Sequence, residues 1–179
     1  MLTLRPAKSS DARDLALIGL AAWQEAISAW GEDVEKMREN ATSAYVNFCV
    51  RNWPDILVAE WDGDLAGWGA SENADDQITD LWVAPVFQGR GIGSELLADL
   101  ELEIRGRGFD RARLDTHARN VRAIHLFKRH GYRVSAYTVA YSAALDVDID
   151  TVAMVKEFGL ASSNEGSAKP EDDGLYGGV

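Results

Sequence analysis

The chain has 179 residues, 46% of them hydrophobic and 26% charged, with 29 acidic against 18 basic side chains and a net charge of -11. That length supports one globular domain with a full core, and the acidic balance argues against a nucleic-acid surface while suiting a cationic small molecule, a basic peptide or plain solubility. The lone Cys49 excludes an internal disulfide and a cysteine-based metal cluster; with neither a signal-like N-terminus nor a membrane-length apolar run, a cytoplasmic protein with no membrane or metal partner is expected.

Residues 2–5 read as a first strand, after which Ser9 or Ser10 is placed to cap a helix over 11–29 with Leu15, Ile18, Ala22 and Ala26 at helical spacing. Gly31 breaks that helix, and a second one is expected over 34–50, closed by Pro54. Strands at 56–60 and 65–70 flank Trp61-Asp62-Gly63-Asp64, an Asp-Gly hairpin signal. A strand at 78–83 follows. Next comes a helix from near Gly91, with Ile92, Leu96, Leu97, Leu100 and Ile104 on one side and the Gly106-Arg107-Gly108 stop at its end. The remainder reads as a strand at 111–116, a helix at 120–130 ended by Gly131, and strands at 133–141 and 152–157 separated by an acidic loop with Asp146, Asp148 and Asp150. Hairpins first and a strand-helix-strand-helix-strand run second imply an α/β fold with a single mixed, mostly antiparallel sheet flanked by helices. The domain is assigned to residues 1–159, and 160–179, rich in Ser, Gly, Asp and Glu, to a disordered acidic tail.

Gln88-Gly89-Arg90-Gly91-Ile92-Gly93 joins the 78–83 strand to the following helix. Alternating glycines at a strand-to-helix junction bare backbone N–H groups at the positive end of a helix dipole, which suits a phosphate or pyrophosphate, with Arg90 adding charge. A simple tight turn would need only one of those glycines.

The pattern Gln88-x-x-Gly91-x-Gly93 resembles the pyrophosphate loop of the GCN5-related N-acetyltransferases. The likeness extends through Leu81-Trp82-Val83-x-Pro85 before the loop and Asn120-x-x-Ala123-Ile124-x-Leu126-Phe127-x-x-x-Gly131-Tyr132 after it, roughly residues 56–158. The resemblance implies the acyl-CoA N-acyltransferase fold, acetyl-CoA as donor, and direct transfer to a primary amine of a small molecule or peptide in a ternary complex. It implies a pyrophosphate site at Gln88, Gly89, Arg90, Gly91, Ile92, Gly93 and Ser94, and a pantetheine arm paired with the backbone of Leu81, Trp82 and Val83. Asn120 is either a cofactor contact or a plain helix cap. A homodimer is left open, with no independent sign of one in this chain.

Amide formation needs a neutral amine, a polarised thioester and a stabilised leaving thiolate. The glutamate that histone-type members use corresponds to Gln77, which cannot accept a proton. Asp115 corresponds to the base of members acting on ribosomal-protein N-termini, and Asp80 sits where the family often carries a strand bulge; either carboxylate also reads as an ordinary surface group. The family's acid, a tyrosine, is Phe127 here, which leaves the thiolate to depart with help from water or from Tyr132, Tyr137 or Tyr141, with Tyr132 first among the tyrosines. His117 is an outside candidate, and His125 reads as an ordinary helix residue. Trp23 and Trp30, seven residues apart, are placed to form an aromatic acceptor wall, with Glu25, Glu32 and Asp33 to meet a cationic amine; core packing is the competing reading for the tryptophans.

Two other functions fit parts of the pattern. A dinucleotide-binding enzyme would use Gly89-x-Gly91 with Asp115 as ribose contact, but Ser94 replaces its third glycine and some eighty residues precede the motif. A non-catalytic acyl-CoA-binding or sensor module is motivated by Gln77 and Phe127.

Overall fold

Strand β1 (Leu2–Pro6) pairs antiparallel with β2 (Ile56–Trp61), which pairs with β3 (Asp64–Ala70) through the expected hairpin. The turn needs positive φ at both central residues, and Asp62 (φ 54°) and Gly63 (φ 94°) supply it. The computed structural model describes residues 1–29, 34–142 and 146–159. The expected tail at 160–179, the break at Gly31 and the residues Trp30, Glu32 and Asp33 lie outside those described.

The expected 78–83 strand is divided into β4 (Gln77–Ile78) and β5 (Asp80–Val83), and the division opens the sheet. β5 closes a four-stranded sheet in the order β1-β2-β3-β5. β4 runs parallel to β6 (Arg111–His117) and starts a second four-stranded sheet, continued by β8 (Val147–Glu157) and β7 (Arg133–Ser142). At the switch, Ala70 is paired with Asp80 while its carbonyl also accepts the Thr79 N–H at 2.9 Å, so two residues oppose one in a bulge. The α/β class and mixed pairing follow the sequence expectation. The sheet itself is splayed into two halves joined through Thr79.

Helices α1 (Ala12–Ala29) and α2 (Val34–Asn52) cover one face, and α3 (Ile92–Gly106) and α4 (Val121–Arg129) belong to the other. Alternation along β2 serves both layers: Ile56 and Val58 join the cluster under α1 and α2, whereas Leu57 and Ala59 join that of α3. Trp68 is fully buried in the first cluster and donates its indole N–H to Leu15 O at 2.8 Å, tying α1 to β3. Buried Leu96, Leu97, Leu100 and Ile104 are the stripe read from the sequence.

Two local expectations are corrected. Neither Ser9 nor Ser10 caps α1; Asp11, already held by Arg5 at 2.7 Å, accepts the Lys8 N–H at 2.8 Å and starts a 3-10 turn over Ser9–Asp11. The acidic loop is shorter than expected, because Asp148 and Asp150 pair across β7 with Tyr141 and Val139 and belong to β8. Asp146 stands at the turn with φ 56° and accepts the Tyr141 hydroxyl at 2.6 Å.

Candidate active site

A cavity of about 670 Å³ lies beside β5, walled by α1, the loop that enters α3, and α4 with the turn before it, a size suited to a small organic ligand. Leu81, Trp82 and Val83 form its β5 side, and Ala22, Glu25, Ala26 and Ala29 of α1 form another wall. β5 is the last strand of its sheet, so its outer edge has no ladder partner among the described residues. The Ala84 N–H bonds Ala66 O, which fixes the alternation of the antiparallel ladder. By that alternation Leu81 and Val83 turn their N–H and C=O groups away from β3 and toward the cleft. An extended chain carrying amides can pair there.

At one end the cavity meets the loop at Gln88, Gly89, Gly91, Ile92, Gly93 and Ser94. Gly89 (φ 76°) and Gly91 (φ 84°) take the left-handed conformation that turns the chain into α3. Gly91 is the N-cap and has no side-chain acceptor for the helix N–H groups, so the first turn of α3 presents bare donors to an anion. Gln88 holds this loop from both sides, donating to Val83 O at 3.1 Å and accepting from the Arg122 guanidinium. Arg90 departs from its expected role. Its guanidinium lies over the rings of Trp61 (5.5 Å) and Phe87 (5.3 Å) and donates to Val86 O, and its side chain is not on the cavity wall.

Asn120 lines the cavity and its Oδ1 accepts the Ala123 N–H at 3.2 Å, so it caps α4 from the wall itself. Ser94 also lines the cavity, its hydroxyl 2.9 Å from His130 Nε2.

The three candidate catalytic groups have different surroundings, and none is itself on the cavity wall. Asp80 sits at the bulge, half-buried on the α2 side, and accepts the Trp82 indole N–H at 2.9 Å. Burial pushes its carboxyl from an ordinary 3.8 up to about 6, against the lowering effect of the Trp82 bond. Because Trp82 and Leu81 are wall residues, Asp80 is one bond removed from the cavity. Asp115 is exposed on β6 and accepts from the Gln77 amide at 3.1 Å, an arrangement that suits a solvated carboxylate. Tyr132 is corrected. It is 3% exposed, packed against Phe127 and beneath Lys156, with burial and neighbouring Glu101 raising its phenol far out of the range of a working acid. Its hydroxyl has no hydrogen-bond partner among the described residues.

Trp23 is likewise corrected as an acceptor-wall residue: it is 6% exposed and packed in the cluster beneath α1. The α1 residues that do face the cavity are small, apart from Glu25, because Ala22, Ala26 and Ala29 repeat at helical spacing along one side. Sequence reasoning missed the α4 contribution, Arg122, Leu126 and Arg129, whose i, i+4, i+7 spacing was the available signal. His117 accepts the Arg119 N–H at 3.0 Å through Nδ1, a local contact in the turn before α4.

The model of the acetyltransferase (GNAT) family matches residues 20–132. The chain belongs to this family. The GNAT match spans the cavity, from its α1 wall through the loop to Phe127. Among curated proteins, the mycothiol acetyltransferase of Clavibacter michiganensis subsp. michiganensis is 37% identical over 92 residues, covering 50% of this chain and 30% of that protein. The chain therefore spans about a third of the length of that relative. The GNAT fold is also that of a GCN5-related N-acetyltransferase from Rhodopseudomonas palustris, with a TM-score of 0.73 at 23% identity over 87% of this chain and 95% of that one. It is shared by the PaiA N-acetyltransferase of Thermoplasma acidophilum, solved in complex with coenzyme A, with a TM-score of 0.67 at 20% identity over 88% and 99% of the two chains.

Proposed function

We propose that this chain is an N-acetyltransferase that takes acetyl-CoA as donor and acetylates a primary amine of a small molecule or peptide by direct attack. The observation that carries the reading is one continuous cavity that runs along the open edge of β5 and ends at the bare N-terminus of α3. An amide-bearing arm fits the first feature and a diphosphate the second. The coenzyme A complex of PaiA and the acetyltransferase name of the Clavibacter relative support the same donor.

When bound, acetyl-CoA supplies an activated thioester; the rest is the work of this chain's residues. The backbone of Leu81 and Val83 would hold the arm, and the loop from Gly89 to Ser94 the diphosphate. A cleft-facing N–H of Val83 is suited to stabilise negative charge on the carbonyl oxygen. Asp80 is the base of this reading, accepting the ammonium proton through a water, because a carboxyl near 6 is ionised at neutral pH yet more basic than an exposed one. Asp115 is not assigned that role, given its exposure and its bond to Gln77. Phe127 lines the cavity in place of a tyrosine, and no tyrosine is on the described wall, so no side-chain acid is assigned. Glu25 and the small alanines of α1 face the acceptor end, which favours an amine approaching as a cation.

Calorimetric titration with acetyl-CoA, with NADH and NADPH as controls, tests the reading. Micromolar acetyl-CoA binding followed by amine-dependent release of free thiol is expected. Binding without thiol release across an amine panel would leave a non-catalytic acyl-CoA module, and a response to NADH alone would overturn the donor assignment.

A further inference from the structure

Helix α4 lies along the glycine loop and is joined to it at both ends. Arg122 in its first turn bonds Gln88, and His130 at its C-cap meets Ser94 at 2.9 Å. Between them Leu126 comes close enough that a Cβ on Gly93 would lie 3.5 Å from its Cδ2. Arg122, Leu126 and Arg129 therefore face the loop side of the cavity, with the two arginines separated by about 10 Å along the helix.

Neither is paired with a carboxylate among the described residues, in a chain with 29 acids and 18 bases. Elsewhere Arg5, Arg111, Arg113 and Arg133 are each paired with a carboxylate. Arg122 instead donates to a neutral amide oxygen, and Arg129 has no partner among the described residues. The bare N–H groups of α3 and the loop already provide for a diphosphate, so two guanidiniums beside them are cation in excess of that need. A phosphate monoester carries close to two negative charges at neutral pH, and arginine binds such a group through paired hydrogen bonds.

We infer that Arg122 and Arg129 form a subsite for a phosphate monoester beside the diphosphate loop, and that it engages the 3′-phosphate of the donor. The inference rests on the acetyl-CoA reading and adds to it a selectivity: the protein distinguishes acetyl-CoA from its 3′-dephospho form. Arg129 is the principal contact because its guanidinium has no other engagement among the described residues. Arg122 adds charge while holding Gln88.

Calorimetry on the full chain with acetyl-CoA and 3′-dephospho-acetyl-CoA decides it. The unmodified protein is expected to favour acetyl-CoA by about tenfold, the scale of one charge-assisted contact. In Arg129→Gln that preference should fall below about threefold by weakening acetyl-CoA alone. In Arg122→Gln with Arg129→Gln it should vanish. Both side chains are exposed, so the variants are expected to fold, and unchanged melting temperatures check this. Equal affinity of the unmodified protein for the two ligands would overturn the inference and leave the donor assignment standing. Equal weakening of both ligands in Arg129→Gln would also overturn it, placing that arginine on the diphosphate; a common weakening added by Arg122→Gln reports the loosened Gln88 staple, and the ratio between the ligands is what is read. Failure of the unmodified protein to bind either ligand would remove the donor reading and this inference together.

Discussion

Replacing Asp80 by Asn should weaken catalysis and strengthen the fold at the same time. The carboxyl is raised from 3.8 to about 6 chiefly by burial, and at about 1.4 kcal/mol per pH unit this is ~3 kcal/mol of penalty on its ionised form. Between those two values the folded chain holds a proton that the unfolded chain has released. The contribution of this group to stability therefore falls as pH rises from about 4 to about 6 and stays low above that. Asparagine keeps an oxygen for the Trp82 indole N–H and removes the charge; the neutral bond is weaker than the charged one by roughly 1 kcal/mol, which leaves a net gain of ~2 kcal/mol at pH 8. Urea unfolding of both proteins at pH 4, 6 and 8 should show a difference that is small or negative at pH 4 and grows toward pH 8. In the same variant, amine acetylation should fall by about two orders of magnitude and lose the acidic limb of its rate profile near pH 6. A stability difference that does not change with pH would refute the burial argument. An unchanged rate profile would remove Asp80 as base, whatever the stability result.

Asp76 has the opposite sign. Its buried carboxylate is held low chiefly by Arg113, against the cost of burial, which comes second, with Arg111 adding to the lowering. Asp76→Asn should cost ~1–2 kcal/mol at pH 7 in urea, less than a fully buried pair because both arginines are half exposed and rehydrate. The gap should close as pH falls below the ordinary carboxylate range and the native Asp76 is itself protonated. Tyr132→Phe removes a buried hydroxyl that has no partner among the described residues, so it should leave stability unchanged or raise it by up to ~1 kcal/mol with full activity; a large loss of turnover would restore Tyr132 as a catalytic group. Gly91→Ala forces a φ of 84° on a residue with a Cβ and should cost ~1–2 kcal/mol and most of the acetyl-CoA affinity. Gly93→Ala meets only ordinary contacts at 3.5 and 3.7 Å and should be close to neutral in melting temperature, the contrast between the two being the measurement.

Periodicity carried the helices because each buries one stripe, and Leu96 through Ile104 declare theirs without tertiary information, whereas β2, buried on both faces, shows as an apolar run ahead of the Asp-Gly turn. The glycine loop was legible for a different reason: positive φ at Gly89 and Gly91 narrows the choice of residue. What stayed hidden depends on which long-range partner a side chain finds. Arg90 reads as a phosphate ligand until Trp61, distant in sequence, provides a ring for it to cover. Trp23 and the cavity-facing Ala22 are adjacent in the chain and equally buried, and only the packing direction of α1 decides which of them lines the cavity and which joins the core beneath the helix. The opening of the sheet could not be read from residues 77–83 alone, because it is produced by competing partners, β6 for Gln77 and Ile78 and β3 for Asp80 onward.

Gln88 spends both ends of its amide on its own protein, one on Val83 O and one on Arg122. The loop is thereby stapled to the strand before it and to α4 beside it, so the entropy of shaping it is lost when the chain folds and is not charged again at each encounter with a ligand. An amide in this place also lets a movement of α4 reach β5 through a single side chain. Shortening it to alanine would turn a preset anion cradle into one that each ligand must assemble, and the change would appear as a less favourable entropy of association at nearly the same heat.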